Sequence, residues 1–167
     1  MINAAKTVAQ RAERFENLRR VLREVQVAHE KDIAAGKYSP FDMGWWGELW
    51  DTSDKKAPSC GTSCCAAGWA SKDPWFQANG LKSKIEGCSL DIVFDDPEYE
   101  YDTFKGLALF FGITEDESEQ IFDPYFYKKP NDEEEYVAAD DAEHITPNDV
   151  IARTLEIEQS TQVALLA

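Results

Sequence analysis

The chain has neither a long hydrophobic run nor a surplus of positive charge. Within its 167 residues, no apolar stretch approaches the ~18 residues that a membrane-spanning helix requires, and the N-terminal residues do not resemble a secretion signal. The 32 Asp and Glu residues outnumber the 17 Lys and Arg residues, which gives a net charge of −15. This charge disfavours direct binding to nucleic acid and to anionic lipid. We therefore expect a soluble, cytoplasmic protein that contacts neither membranes nor nucleic acid directly.

Several short motifs of enzymes are also missing. The sequence contains no phosphate-binding loop, HExxH helix, GxSxG nucleophile elbow or dinucleotide-binding fingerprint. Hydrophobic residues nevertheless make up 43% of the chain and aromatic residues 12%, which is enough for a substantial core. The composition thus predicts an ordered protein, and a non-enzymatic role is favoured.

The negative charge is concentrated in one part of the chain. Residues 91–143 contain eighteen acidic residues and three lysines, whereas the remaining residues hold fourteen acids and fourteen bases. Like charges at this density repel each other unless they are solvated or paired. The segment is therefore either a solvated face with an acidic loop or a surface that binds a basic partner. The residues expected to contact such a partner are acidic or aromatic: Asp95, Asp96, Glu98, Tyr99, Glu100, Tyr101, Asp132, Glu133, Glu134 and Glu135.

Helical patterns dominate the chain. We predict a mainly α fold, a single compact helical domain over residues 1–167. It comprises a long helix in 1–36, a helical core in 60–163 and an acidic loop in 128–145. At most a small β-hairpin is expected, and we place it near residues 82–94.

The first helix carries an apolar stripe at alternating steps of three and four residues, from Val8 to Val25. Gly36 suits its C-terminal end. Arg14 and Arg19 lie mostly off this stripe. Because the stripe is long enough to pair with a second copy as well as to pack internally, the oligomeric state stays open and a homodimer is one outcome.

Three tryptophans, Trp45, Trp46 and Trp50, lie within six residues. Rings of this size usually cover the edge of a core, and that interpretation is favoured. Tryptophan is also enriched at binding hot spots. An exposed tryptophan in this stretch would therefore indicate a binding site.

The most specific stretch is residues 60–70, Cys-Gly-Thr-Ser-Cys-Cys-Ala-Ala-Gly-Trp-Ala. Thr62 is a suitable N-cap for a short helix that continues to about Ser71. Cys64 and Cys65 would then lie in its first turn, where the helix dipole lowers the pKa of a thiol that is not buried. The small residues that follow predict that the helix packs its backbone close to a neighbour.

The cysteines leave three interpretations open. Free cysteines are most often buried as small hydrophobic residues, and this is favoured here. Alternatively, Cys60, Cys64, Cys65 and Cys88 could contribute to a structural zinc site with a histidine, since the Cys60–Cys64 spacing falls within the range of a zinc knuckle.

The third interpretation is a cysteine-dependent hydrolase or transferase. Cys-Gly-Thr-Ser-Cys is faintly similar to the papain signature, although no aromatic residue directly follows the second cysteine. Cys64 or Cys65 would be the nucleophile and His144 the base. A position between an acidic loop and a helix favours a surface role for His144 instead.

Several motifs together resemble a set of small bacterial and bacteriophage proteins of no assigned function. They are Phe41-Asp42-Met43, the pattern C-G-T-x-x-C-x-x-G-W-A at residues 60–70, and Asp73-Pro74-Trp75-Phe76. The resemblance covers most of the chain beyond residue 40, while Cys64 and the acidic insert at 130–146 depart from it. It implies a bacterial or phage source and supports the architecture, and it implies no activity.

The charge and the aromatic residues favour a protein-binding role. Carboxylates can take the place of phosphates, and aromatic rings can supply anchors, when a protein binds a basic partner. We therefore expect an acidic protein that binds another protein. If it is phage-encoded, it would inhibit or modulate a nucleic-acid-binding or defence protein in the host cytoplasm. We expect no cofactor, with zinc as the alternative.

Overall fold

A computed structural model describes residues 4–51, 53–94, 103–127, 142 and 144–166. Its helices are α1 (Val8–Ala34), α2 (Ala66–Lys72), α3 (Pro74–Ala78), α4 (Thr103–Phe111), α5 (Glu115–Phe122) and α6 (Pro147–Leu166). Its strands are β1 (Gly47–Leu49), β2 (Thr62–Cys64), β3 (Leu81–Glu86) and β4 (Ser89–Phe94). A 3-10 helix at Pro124–Phe126 follows α5.

The four strands form one antiparallel sheet in the order β2-β1-β4-β3. The predicted hairpin is confirmed, since β3 and β4 pair from Leu81 with Phe94 to Glu86 with Ser89. The prediction of a helical domain with at most a small hairpin is wrong, because β1 and β2 extend that hairpin into a sheet. The fold is an α+β mixture. Strands of three residues are too short to show an alternating pattern, and they form through contacts with distant segments.

The boundaries of α1 follow from local signals. The Thr7 side chain accepts a hydrogen bond from the backbone N–H of Gln10, which satisfies one of the free donors at the helix start. Gly36, two residues after the helix, has a φ of 72°, a value that favours glycine. The apolar stripe faces the core, where Phe15, Leu18 and Leu22 are fully buried.

Three arginines of α1 are buried: Arg11, Arg14 and Arg19. Arg11 occupies a place in the apolar stripe, whereas the spacing of Arg14 and Arg19 suggests a surface position. Arg14 is 3% exposed; its guanidinium donates to the carbonyl oxygen of Phe110 and lies 4.2 Å from the centre of the Phe110 ring. Arg11 donates to the carbonyl oxygen of Gly112 at 3.4 Å. These cations cap the C-terminal end of α4, where the carbonyl groups carry partial negative charge.

Arginines further along α1 form ion pairs. Arg19 pairs with Glu16 and with Glu158 of α6, and Arg20 pairs with Asp73 at 2.9 Å. The acids in these pairs all lie outside residues 91–143. Among the described residues, these arginines of α1 therefore pair with acids outside the acid-rich segment.

The helices α5 and α6 begin at side-chain caps. Thr114 and Glu117 form the capping box of α5, with both reciprocal hydrogen bonds present. Thr146 and Asp149 make the corresponding contacts at the start of α6. α4 ends at Phe111, and Gly112 directly after it has a φ of 69°.

One hydrophobic cluster joins these elements. Phe111 of α4 lies at its centre, with ring centroids 5.1 Å from Phe15 and 5.5 Å from Phe122. The cluster also includes Ala66 and Ala67 of α2 and side chains of the sheet and α6. Residues 60–94, predicted as part of a helical core, thus supply three of the four strands and the helix α2 that packs against the sheet.

Candidate functional site

The motif at residues 60–70 connects the sheet to α2. Thr62 is not a helix cap, because it pairs with Leu49 in the sheet, and Cys64 pairs with Gly47. The N-cap of α2 is Cys65, whose sulfur accepts a hydrogen bond from the backbone N–H of Gly68 at 3.3 Å. The prediction that Cys64 and Cys65 share the first turn of a helix is therefore wrong.

The small residues of the motif permit a close approach between α2 and the segment before β1. A Cβ atom at Gly68 would overlap the carbonyl oxygen of Trp46 and would lie 3.0 Å from the Cβ of Cys64. Next to it, the Trp69 indole donates to the carbonyl oxygen of Pro40 at 2.9 Å. The motif thus fixes the position of residues 45–50, which we call the tryptophan-rich segment. This role of the motif is structural.

The two buried thiols are poorly suited to nucleophilic catalysis. Cys64 is 0% exposed and Cys65 1%. Burial raises the pKa of each thiol to about 12, so that both are protonated at neutral pH, whereas a nucleophile requires the thiolate. His144 is exposed, and the hydrogen bonds of Cys65 are made with Gly68 and Trp46 instead.

The four cysteines do not assemble into a metal site. Cys60 and Cys88 are exposed, while Cys64 and Cys65 are buried. Across the described ranges, no three His, Cys, Asp or Glu side chains come together as metal ligands would. His29, a possible fourth ligand for zinc, contacts the hydroxyl of Ser39 at 2.7 Å.

A groove of about 540 Å³ opens beside Trp45 and Trp46 of the tryptophan-rich segment. Three parts of the chain form it: the segment before β1, the beginning of β4, and the helices α4 and α5 with the 3-10 helix that follows. Its lining includes five aromatic residues and two carboxylates: Trp45, Trp46, Phe104, Phe122, Tyr125, Asp91 and Asp123. We call this feature the aromatic groove.

Contacts with distant parts of the chain hold the aromatic residues in place. The Trp46 ring lies 5.5 Å from the Phe104 ring, at an angle of 57°. The carbonyl oxygen of Trp45 accepts a hydrogen bond from the backbone N–H of Cys65 at 3.1 Å. Trp45 is 68% exposed and Tyr125 is 54% exposed. These two rings therefore present large apolar faces to solvent from a well-anchored backbone.

The aromatic groove lies beside the attachment points of the acid-rich segments. Phe104 follows residues 95–102 almost directly, and Tyr125 shortly precedes residues 128–141. Together with Glu143, these two segments contain twelve acids and two lysines, a formal charge of −10. Asp91 and Asp123 add two carboxylates in the groove lining itself. The groove therefore lies in a part of the chain where a cationic partner would be attracted.

The predicted partner-binding residues lie outside the described residues. They are Asp95, Asp96, Glu98, Tyr99, Glu100, Tyr101, Asp132, Glu133, Glu134 and Glu135. The groove adds residues that sequence reasoning did not select, namely Asp91, Phe104 and Asp123. For Trp45 the expectation of a core-edge ring is wrong, and its exposure is the signal that the sequence pattern could not supply.

Comparisons with known proteins add no assignment. The chain matches no protein-family model, and neither the curated proteins nor the solved structures contain a significant match. Among the helices in the described ranges, none is both long and apolar enough to cross a membrane.

Proposed function

We propose that this chain is a non-enzymatic protein-binding protein that uses its acidic and aromatic surface to bind a basic partner protein. The observation that carries the proposal is the aromatic groove, in which the exposed Trp45 lies among further rings and two carboxylates. Large exposed rings are enriched at binding hot spots, because they bury much apolar area at little entropic cost.

The two features of this surface would act at different stages of binding. The charge of −10 in residues 95–102, 128–141 and 143 would attract a basic partner over a distance limited by screening, about 8 Å at physiological salt. Electrostatic attraction of this kind raises association rates by about 10- to 1,000-fold at low salt. The rings of the groove would then hold the bound partner through desolvated contacts, and so lower the dissociation rate.

The resemblance to bacterial and phage proteins gives the proposal its biological setting. In that setting the chain would be phage-encoded and would act in the host cytoplasm as an inhibitor or modulator of a host protein. A nucleic-acid-binding or defence protein is the kind of partner that fits, because its basic surface is complementary to this one.

Affinity purification from a bacterial host tests the proposal. The full chain is immobilised, and retained proteins are identified by mass spectrometry at about 50 mM and about 500 mM salt. We expect a basic protein that is retained at low salt and lost at high salt. Trp45→Ala should weaken its retention.

The matched control is Tyr38→Ala. Tyr38 is 45% exposed and stacks on Trp50, but it does not line the groove. It should leave retention unchanged. Recovery of no basic protein at low salt, or equal retention by both variants and the unaltered chain, would contradict the proposal.

A further inference from the structure

The carboxylates of the aromatic groove have hydrogen-bonding capacity that the described residues do not use. One oxygen of Asp123 accepts the backbone N–H of Tyr125 at 2.9 Å, and no described residue donates to its other oxygen. Asp91 is exposed, and its carboxylate makes no hydrogen bond to any described residue. Lys84, which faces Asp91 in the sheet, is in an ion pair with Glu86. The groove therefore combines exposed ring faces with carboxylate oxygens that can accept donors from a ligand.

A ligand that satisfies both features must be flat, cationic and rich in N–H donors. A guanidinium stacks on an aromatic face, is weakly hydrated, and can donate two parallel hydrogen bonds to one carboxylate. A lysine ammonium has the same charge, but it is compact and strongly hydrated, and it cannot stack. The lining of the groove therefore favours arginine over lysine.

We propose that the aromatic groove binds an arginine side chain of the basic partner, stacked on Trp45 or Tyr125 and paired with Asp91 or Asp123. This inference rests on the proposed function and specifies the partner's chemistry. The volume of the groove, about 540 Å³, exceeds that of one side chain, so neighbouring residues of the partner would occupy the rest. The acid-rich segments would attract arginine and lysine equally, since both carry one charge, and only the groove would distinguish them.

Two labelled peptides of the same length and charge test this inference. One contains arginine and glycine, and the other lysine and glycine. Their dissociation constants for the full chain are measured by fluorescence anisotropy at low salt. We expect the arginine peptide to bind about two- to fivefold more tightly, the range given by a cation–π contact at an exposed site.

The variants locate the preference. Trp45→Ala should remove most of it, and Asp91→Asn should reduce it. Tyr125→Ala is the second ring variant, so that the test does not depend on the folding of one protein. Tyr38→Ala and Asp116→Asn are the controls, because each alters an exposed residue of the same kind outside the groove.

The possible results separate the inference from the proposed function. Equal, salt-sensitive binding of both peptides would overturn the arginine site and leave the acidic protein-binding role intact. A preference for arginine that survives in both ring variants would also overturn it, because the discrimination would then arise elsewhere. Failure of both peptides to bind at low salt would contradict the proposed function itself.

Discussion

Replacement of Gly68 by alanine tests whether the close approach of α2 to the tryptophan-rich segment determines the fold. In an ordinary helix interior this change stabilises a protein by about 1 kcal/mol, because alanine has the higher helix propensity. Here the new Cβ would lie far closer to the carbonyl oxygen of Trp46 than the 3.0 Å that real Cβ atoms keep. The obstacle is backbone, so no side-chain rotation can relieve the overlap.

The magnitude follows from what must move. Separating α2 from Trp46 would strain the contacts of Cys65, Ala66 and Ala67, which are all fully or almost fully buried. Overpacking of a close-packed core costs about 1–3 kcal/mol, and more when backbone must shift. We expect a net loss of at least about 2 kcal/mol, which lowers the urea midpoint by about 1 M for a chain of this size.

The assay is equilibrium unfolding in urea, followed by tryptophan fluorescence. Gly36→Ala is the control, since Gly36 has a φ of 72° and no neighbour within 4 Å of the added carbon. It should lose only the backbone cost of about 1 kcal/mol. If Gly68→Ala is as stable as the unaltered protein, or more stable than Gly36→Ala, the argument for close approach is refuted.

Three further predictions concern the thiols and one buried phenol. In the folded protein, iodoacetamide should label Cys60 and Cys88 quickly and Cys64 and Cys65 only on unfolding, because the latter pair is buried. Mass spectrometry of peptides identifies the labelled cysteines. Rapid labelling of Cys65 would contradict this prediction. Cys65→Ala should lower the free energy of unfolding, measured in urea, by about 1 kcal/mol because the N-cap acceptor is lost. Cys65→Ser keeps an acceptor and should lower it less. Equal stability of Cys65→Ala and the unaltered protein would be evidence against the cap. Burial raises the pKa of Cys64 and Cys65 to about 12 from an ordinary value of about 9, and it also raises the pKa of Tyr127. Because the unfolded chain loses these protons first, the free energy of unfolding should fall as the pH rises from about 9 towards 12. A urea midpoint that stays constant over this range would refute the burial of these groups.

Local signals in the sequence were sufficient for most helix boundaries. The capping box of Thr114 and Glu117 is a signal of this kind, because its hydrogen bonds reach only three residues along the chain. The hairpin of β3 and β4 is equally local. The resemblance to bacterial and phage proteins, the phage setting and the partner remain predictions.

The errors occur where distant segments meet. Thr62 has the chemistry of an N-cap, but pairing with Leu49 draws it into the sheet and leaves the cap to Cys65. Arg14 lies off the apolar stripe, yet it is buried because the end of α4 presents carbonyl groups that need a donor. Neither outcome can be inferred from sequence spacing alone.

By itself, the sequence determined the net charge of −15, its concentration in residues 91–143 and the positions of the capped helices. These properties depend on composition or on hydrogen bonds between residues a few positions apart. Only the tertiary structure decided that Cys64 and Cys65 are buried and that Trp45 is exposed beside Tyr125. Burial and grooves depend on how segments far apart in the chain pack against one another, and the residue pattern within one segment does not specify that packing.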